Sequence, residues 1–300
     1  MSRPNLLNHR IRKFASLCIK SLLLSTLIVS IIFSIPLPKT WAASVTWNGG
    51  TDTNWNTAAN WSTGVVPTSQ DDVLINSNVT VNLASSVTVR SLTLGNSSGT
   101  TTPTLNFNYD AINNGALTID GGDFTVYTNA VVTHTAGNLG AIFGRVKVVT
   151  TVGNINIAGS VNVNNKGYGV GTTRGDNGYG PGAGYGFYVA YETAGGSGGG
   201  YGSTGVPSSR VAGGARNGGL DVPTNLGSGG GYGYDYVYRT QSTPGVGGGS
   251  AYFSAGGNIT VSGTMTANGR AGNAYSGGGS GGSIYLNGHD VTISGTLSSS

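Results

Sequence analysis

Along much of the chain, two apolar residues flank a single residue that is usually polar. The units are VLI at 73–75, VTV at 79–81 and 87–89, LTL at 92–94, LNF at 105–107, LTI at 117–119, FTV at 124–126 and VKVV at 146–149. Alternation at period two puts the apolar side chains on one face, so each unit reads as a short strand with one buried side. Asn, Gly, Ser and Pro separate the units as turns. The same grammar returns at the end of the chain as a tandem repeat. Residues 247–267 (GGGSAYFSAGGNITVSGTMTA) align without a gap on 279–299 (GSGGSIYLNGHDVTISGTLSS), 32 residues further on. Tyr252 then falls on Ile284, Phe253 on Tyr285, Ile259 on Val291, Val261 on Ile293 and Met265 on Leu297. A third copy, VVTTVGNINIAGSVNV at 148–163, matches Ile155, Ile157 and Val161 to Ile259, Val261 and Met265 at an offset of 104.

A fixed period of this size signals stacked repeats. Each unit is too small to fold alone, but like units stacked about 4.8 Å apart share one continuous core. The expected fold is all-β: a right-handed parallel β-helix, or solenoid, with an N-terminal aromatic cap and a Gly/Tyr-rich insertion. The boundaries read as a signal peptide at 1–43, a Trp-rich cap at 44–75, coils at 76–165, the insertion at 166–246 and further coils at 247–300. No polar cap follows Leu297, so more coils are expected beyond Ser300. Asn76, Asn78, Asn82, Asn106 and Asn108 recur at like places. Turned inward they would ladder, and turned outward they would form turns; the pattern leaves both open.

Charge changes the picture only once the leader is set aside. Residues 1–43 hold six of the fifteen Lys and Arg residues, none of the eleven acids, and an apolar run (SLLLSTLIVSIIFSIPLP) that ends before Trp41, Ala42 and Ala43. That is the layout of a secretory signal peptide, and it implies a secreted or cell-surface location. The remaining chain carries nine bases against eleven acids, so the basic pI belongs to the leader. Nucleic acid is not an expected partner. The membrane enters only through the leader or a downstream anchor. The one cysteine, Cys18, also lies in the leader, so neither a disulfide nor thiol chemistry is expected of the exported part. Abundant Gly, Thr, Val and Asn exclude a helical bundle.

Residues 44–75 hold Trp47, Trp55 and Trp61 among Gly, Asn and Thr. A solenoid exposes an apolar end and unpaired strand edges, which large aromatics are suited to cover. The competing reading stacks the three indoles on sugar rings; capping is favoured. Trp47, Gly49, Trp55, Asn60, Trp61, Gly64, Pro67, Asp71, Asp72, Val73 and Ile75 follow a pattern W-x-G, W, N-W-x-x-G, P, D-D-V-x-I. Here the chain resembles the module that opens many bacterial exported and cell-surface proteins, including autotransporter-like β-solenoids of adhesin type. The resemblance covers about thirty residues. It implies a surface β-solenoid and says little about activity.

The segment 167–282 holds 39 of the 54 glycines and 12 of the 15 tyrosines. It reads either as a flexible loop or as a lobe of extended segments pinned by tyrosine faces, and the tyrosine content favours a partly ordered lobe projecting from one edge. Tyr232, Tyr234, Tyr236 and Tyr238 are its densest aromatic run. Arg174, Gly175 and Asp176 spell an RGD tripeptide like the integrin-binding motif of host adhesive proteins, a match that chance in such a segment also explains.

Enzymatic signals are thin. Asp71 and Asp72 are adjacent and so point to opposite faces of a strand, which prevents the pairing a glycosidase needs. Asp120 and Asp123 with Arg145 are the one set a polysaccharide lyase would draw on. His134 and His289 have no metal-ligand spacing, and no phosphate loop or calcium nonapeptide is present. The sequence points to no catalytic residues, no metal site and no cofactor; Ca2+ is left open, without a motif to hold it. The expected function is a non-enzymatic surface or extracellular protein, adhesive or structural, meeting a surface polysaccharide or another cell's surface. Alternatives are a carbohydrate-active β-helix enzyme or binding module, and a plain stalk in a longer multidomain protein.

Overall fold

The computed structural model describes residues 43–137, 144–189, 192–219, 221–234, 236 and 242–300. The chain divides into two units, Met1–Trp41 and Ala42–Ser300. The expected leader, except its last residue, and Tyr238 lie outside the described residues. Among the described residues the regular structure is eighteen strands, numbered in chain order, and one 3-10 turn at Ala58–Asn60.

The strands form three sheets. The first runs β1 (Ala43–Thr46), β2 (Asp71–Ile75), β5 (Ser91–Leu94), β8 (Phe124–Val126), β11 (Ile155–Ile157), β14 (Ile259–Val261) and β17 (Val291–Ile293). The second runs β3 (Thr80–Leu83), β6 (Thr104–Phe107), β9 (Val131–His134), β12 (Ser160–Asn162), β15 (Thr264–Thr266) and β18 (Thr296–Ser298). The third runs β4 (Val87–Val89), β7 (Leu117–Ile119), β10 (Val146–Thr150), β13 (Ser250–Ala255) and β16 (Ser283–Asn287). Every pairing between these strands is parallel. From β3 onward the chain visits the second, third and first sheets in strict rotation. The fold is therefore all-β with three parallel sheets, consistent with a parallel β-helix.

Alternation explains why strands of three or four residues suffice. Leu92 and Leu94, Leu105 and Phe107, Leu117 and Ile119, and Phe124 and Val126 are fully buried, while the residue between each pair is only partly covered. Each such side chain contributes roughly 1.5–3 kcal/mol by leaving water, enough in aggregate to order units that could not persist singly. In the last coil the equivalent positions, Val291, Ile293 and Leu297, are about 40% exposed.

The 104-residue and 32-residue offsets hold where Ile155 pairs with Ile259 and Ile259 with Val291. The ungapped alignment fails at the preceding strand. Tyr252 pairs with Tyr285 and Phe253 with Leu286, one residue away from the expected partners. The slip is physical: at period two, an offset of one would have turned the buried Phe253 out to solvent. The corner between β13 and β14 absorbs the extra residue. Tyr252 and Tyr285 consequently stack on the outer face, with centroids 4.7 Å apart and rings 17° from parallel.

The asparagines are both outward and laddered. Asn106 Nδ2 donates to Asn82 Oδ1 at 2.8 Å, and Asn96 Nδ2 to Asn76 Oδ1 at 2.9 Å. At another corner the Asn258 amide donates to Asn154 Oδ1 and the Asn154 amide to Asp123 Oδ1. Outward strand residues and turn residues alike thus bond to their counterparts one coil away.

The described residues of the insertion form an ordered lobe. Its glycine-rich segments pair by backbone hydrogen bonds at every third residue. Gly227 and Gly230 donate to Gly248 and Gly245, and Gly229 and Tyr232 donate to Tyr179 and Asp176. Gly277 and Ser280 donate to Gly231 and Ser228, and Gly184 and Phe187 to Gly229 and Tyr232. Three residues per turn without internal hydrogen bonds is the signature of an extended polyproline-type helix. Here each segment satisfies its backbone on several neighbours at once. Residues 226–234 lie at the centre and are buried throughout. The corner between β15 and β16 contributes as well: Gly245 donates to Gly277 and Gly248 to Ser280. The lobe therefore takes in chain from what the repeat pattern assigns to a coil.

Candidate functional site

The expected site residues separate into two groups. Trp47, Trp55 and Trp61 lie in the core, 3%, 0% and 2% exposed. Trp61 packs edge-on against Trp47 at 4.9 Å and against Trp55 at 4.7 Å, and its Nε1 donates to Trp55 O at 2.8 Å. Buried Asn60 holds the loop around them, accepting from the Thr51 and Asp52 amides and donating to Asp52 Oδ1 and Asn54 O. The segment then covers a strand edge: Trp55 N donates to Asn82 O and Asn82 N to Thr53 O, beside the outermost strand of the second sheet. No indole face is open to a sugar, so these three residues are removed from the binding set. Trp61→Ala is expected to cost about 3–5 kcal/mol in urea unfolding, as large aromatic truncations do, while leaving ligand retention by the folded protein unchanged.

The acids do not assemble. Asp71 Oδ2 accepts from the amide and hydroxyl of Thr68, a turn. Asp72 pairs with Arg90 and Ser91 across neighbouring strands. Asp120 accepts from Thr151 Oγ1, and Asp123 from Asn154. Arg145 is buried beside Asp110 at 3.8 Å. Val148 pairs with Leu117, so Arg145 lies three residues before that rung and Asp120 three after it. Along extended strands that is about 20 Å. Arg145 is thus not brought to the Asp120 and Asp123 corner. Among the described residues no group of three or more His, Cys, Asp or Glu could hold a metal ion, and no helix is long and apolar enough to cross a membrane.

His289 is exposed, whereas His134 takes an inward core position on β9, opposite Phe107. Its Nδ1 meets Thr135 O at 2.9 Å and its Nε2 accepts from the Ser250 amide at 3.2 Å. These roles assign the Nδ1–H tautomer. Burial pushes the imidazole down to about 4; the Lys166 and Arg145 cations push the same way, while Thr135 O and the Asp110 carboxylate oppose them. This is a packing histidine at the point where the lobe rejoins the sheets.

The second group does converge. The Tyr232 amide donates to Asp176 O, bringing the RGD turn against the tyrosine run. The Arg174 guanidinium lies 4.1 Å over the Tyr234 ring, and Tyr188 meets that ring edge-on at 5.5 Å. Tyr232 and Tyr234 are buried, while Tyr188 is 46% exposed. Gly175 has φ +79°, and a methyl there would press on Tyr188 Cβ at 2.8 Å, so glycine serves both the turn and the packing. Asp176 Oδ2 accepts from the Thr172 and Thr173 amides at 3.1 and 2.8 Å. Those bonds, Thr173's first, hold its carboxyl below the usual range. Of the two charged ends of the tripeptide, Arg174 rests on the Tyr234 ring and stays exposed, while Oδ2 of Asp176 is taken up by the local amides. The Tyr236 amide donates to Thr193 Oγ1.

Thr172, Thr173, Arg174, Tyr188 and Tyr232 line an open cleft of about 370 Å³. A larger hollow of about 600 Å³, between residues 199–204 and the last coil, is lined mainly by glycine and serine and has no charged side chain. The smaller cleft offers a half-open aromatic ring, hydroxyls and one cation on a rigid base. Thr172, Thr173 and Tyr188 escaped the sequence reading. The only signal for Tyr188 was its place in GYGFYVAY, one tyrosine-rich stretch among several. No family model matches the chain, and neither a curated protein nor a solved structure matches it.

Proposed function

We propose that this chain is an exported, non-enzymatic surface or extracellular protein that binds polysaccharide through its lobe, in an adhesive or surface-layer role. The observation that carries the reading is the cleft at Thr172–Arg174 and Tyr188. It combines an aromatic face with polar groups on a base fixed by backbone hydrogen bonds, the composition that suits flat, hydroxylated rings. Repetition of such contacts over many copies on a surface would raise weak affinities by avidity. The three sheets are read as one closed, right-handed solenoid carrying this lobe. Strict rotation among parallel sheets supports closure, and the strong right-handed preference of parallel crossovers supports the hand. The leader pattern and the Trp-rich module support export and kinship with autotransporter-like surface proteins. The slight excess of acids over bases beyond the leader gives nucleic acid no foothold.

The test is retention of the full chain, exported from a bacterial host, on immobilised polysaccharides. Tyr188→Ala is expected to weaken retention three- to tenfold, the range for one aromatic contact. Failure to bind any polysaccharide, or steady release of reducing or unsaturated sugars, would overturn the reading.

A further inference from the structure

Resting on that saccharide reading, we infer that the cleft selects acidic glycans, with a carboxylate or sulfate of the sugar docking on Arg174. Three observations converge on this residue. Its guanidinium carbon lies 4.1 Å from the centre of the Tyr234 ring, a cation–π contact that anchors the group while the residue stays exposed to solvent. A planar fork of that kind matches a carboxylate or sulfate edge by two parallel hydrogen bonds, which an ammonium cannot do. The nearest acid in sequence, Asp176, is committed to the Thr172 and Thr173 amides. The ion pairs among the described residues lie elsewhere, at Arg90–Asp72, Arg145–Asp110 and Arg210–Glu192. Arg174 is thus an exposed, oriented cation without an acid partner among the described residues, on the wall of a cleft whose other walls carry an aromatic ring and hydroxyls.

The arrangement divides the work. Tyr188 offers its exposed ring to the sugar plane whatever the sugar's charge. Arg174 discriminates, because a neutral ring leaves its donors to water while an anionic ring replaces that water with two charge-assisted bonds. Arg174 also lies at the surface, so the preference should weaken with salt.

The experiment uses the full exported chain and four probes: polygalacturonate, its fully methyl-esterified form, a sulfated galactan and neutral dextran. At low salt the wild type is expected to bind the acid form at least about tenfold more tightly than the ester, with the preference shrinking at 0.5 M NaCl. Arg174→Gln should abolish the preference and bind acid and ester alike. Arg174→Lys should retain part of it, and Tyr188→Ala should weaken both without changing their ratio. Preference for the sulfated probe over polygalacturonate would support the inference and identify sulfate as the docking group. Equal wild-type affinity for acid and ester, or a preference that survives Arg174→Gln, would overturn the inference and leave polysaccharide binding standing. Failure of all four probes would remove the saccharide reading itself.

Discussion

Gly231→Ala is expected to lower the melting temperature by roughly 6–12 °C and abolish the near-ultraviolet tyrosine signal of the lobe. Gly202→Ala is expected to leave the melting temperature unchanged or raise it slightly. Ordinarily, alanine in place of a compatible glycine stabilises slightly, because it restricts the unfolded chain. Gly202 meets that condition, with nothing within 4 Å of an added methyl. At Gly231 the methyl would run into the Tyr185 carbonyl and the Gly186 amide. Neither is a side chain that can rotate away. Relief requires separating 231 from 185 and 186, and with them the bonds to Ser197 and Gly277 that surround the same residue. Overpacking usually costs 1–3 kcal/mol, and a clash with backbone on a crowded central segment lies at or above the top of that range. For a unit of this size, about 3 kcal/mol corresponds to the stated shift. Thermal denaturation of the two variants side by side is the measurement. Equal melting temperatures would mean that the segments are not packed backbone to backbone.

Between pH 6.5 and about 4 the protein is expected to lose about 3 kcal/mol of stability through His134 alone. The folded imidazole is held down to about 4, against 6.5 in the unfolded chain. Above 6.5 both states are neutral and its contribution is complete. As the pH falls below 6.5, the unfolded chain takes up a proton that the folded one refuses, so unfolding becomes easier. The loss levels off near 4, where the folded ring also protonates. A depression of that size corresponds to about 3 kcal/mol. Depressed carboxyls such as Asp52 and Asp176 act at lower pH, since their stabilisation is lost only below the ordinary carboxylate range. Urea midpoints at pH 7 and 4.5 provide the check. His134→Gln, which keeps an acceptor for the Ser250 amide but cannot titrate, should flatten the difference. A wild-type profile unchanged across the window would exclude the buried neutral ring.

Strand identity was readable wherever apolar residues alternated. LTL at 92–94, LNF at 105–107 and FTV at 124–126 are the strands β5, β6 and β8. β9 was missed because its second inward position is His134, which breaks the apolar pattern while obeying the geometric one. The one-residue slip at Tyr252 was invisible because Gly-rich flanks align equally well in two registers; only the burial of Phe253 separates them. In the candidate site, Tyr232, Tyr234 and Arg174 were visible as unusual residues in a bland background. Their meeting was not, because it joins residues about sixty positions apart through backbone bonds.

Where apolar residues alternate, the amino-acid order settles which side chains turn inward, since that follows from spacing along each strand; His134 and the asparagines lie outside that rule. The order also marks the aromatic cap and the glycine-rich insertion, since both are matters of composition. Folding in three dimensions decides the rest: the lobe's threefold packing, the placement of His134 beneath its return, and the cleft around Arg174. Every peptide carries the same donor and acceptor, so a glycine-rich segment bears no label naming its partner. That choice is made only when the segments lie side by side.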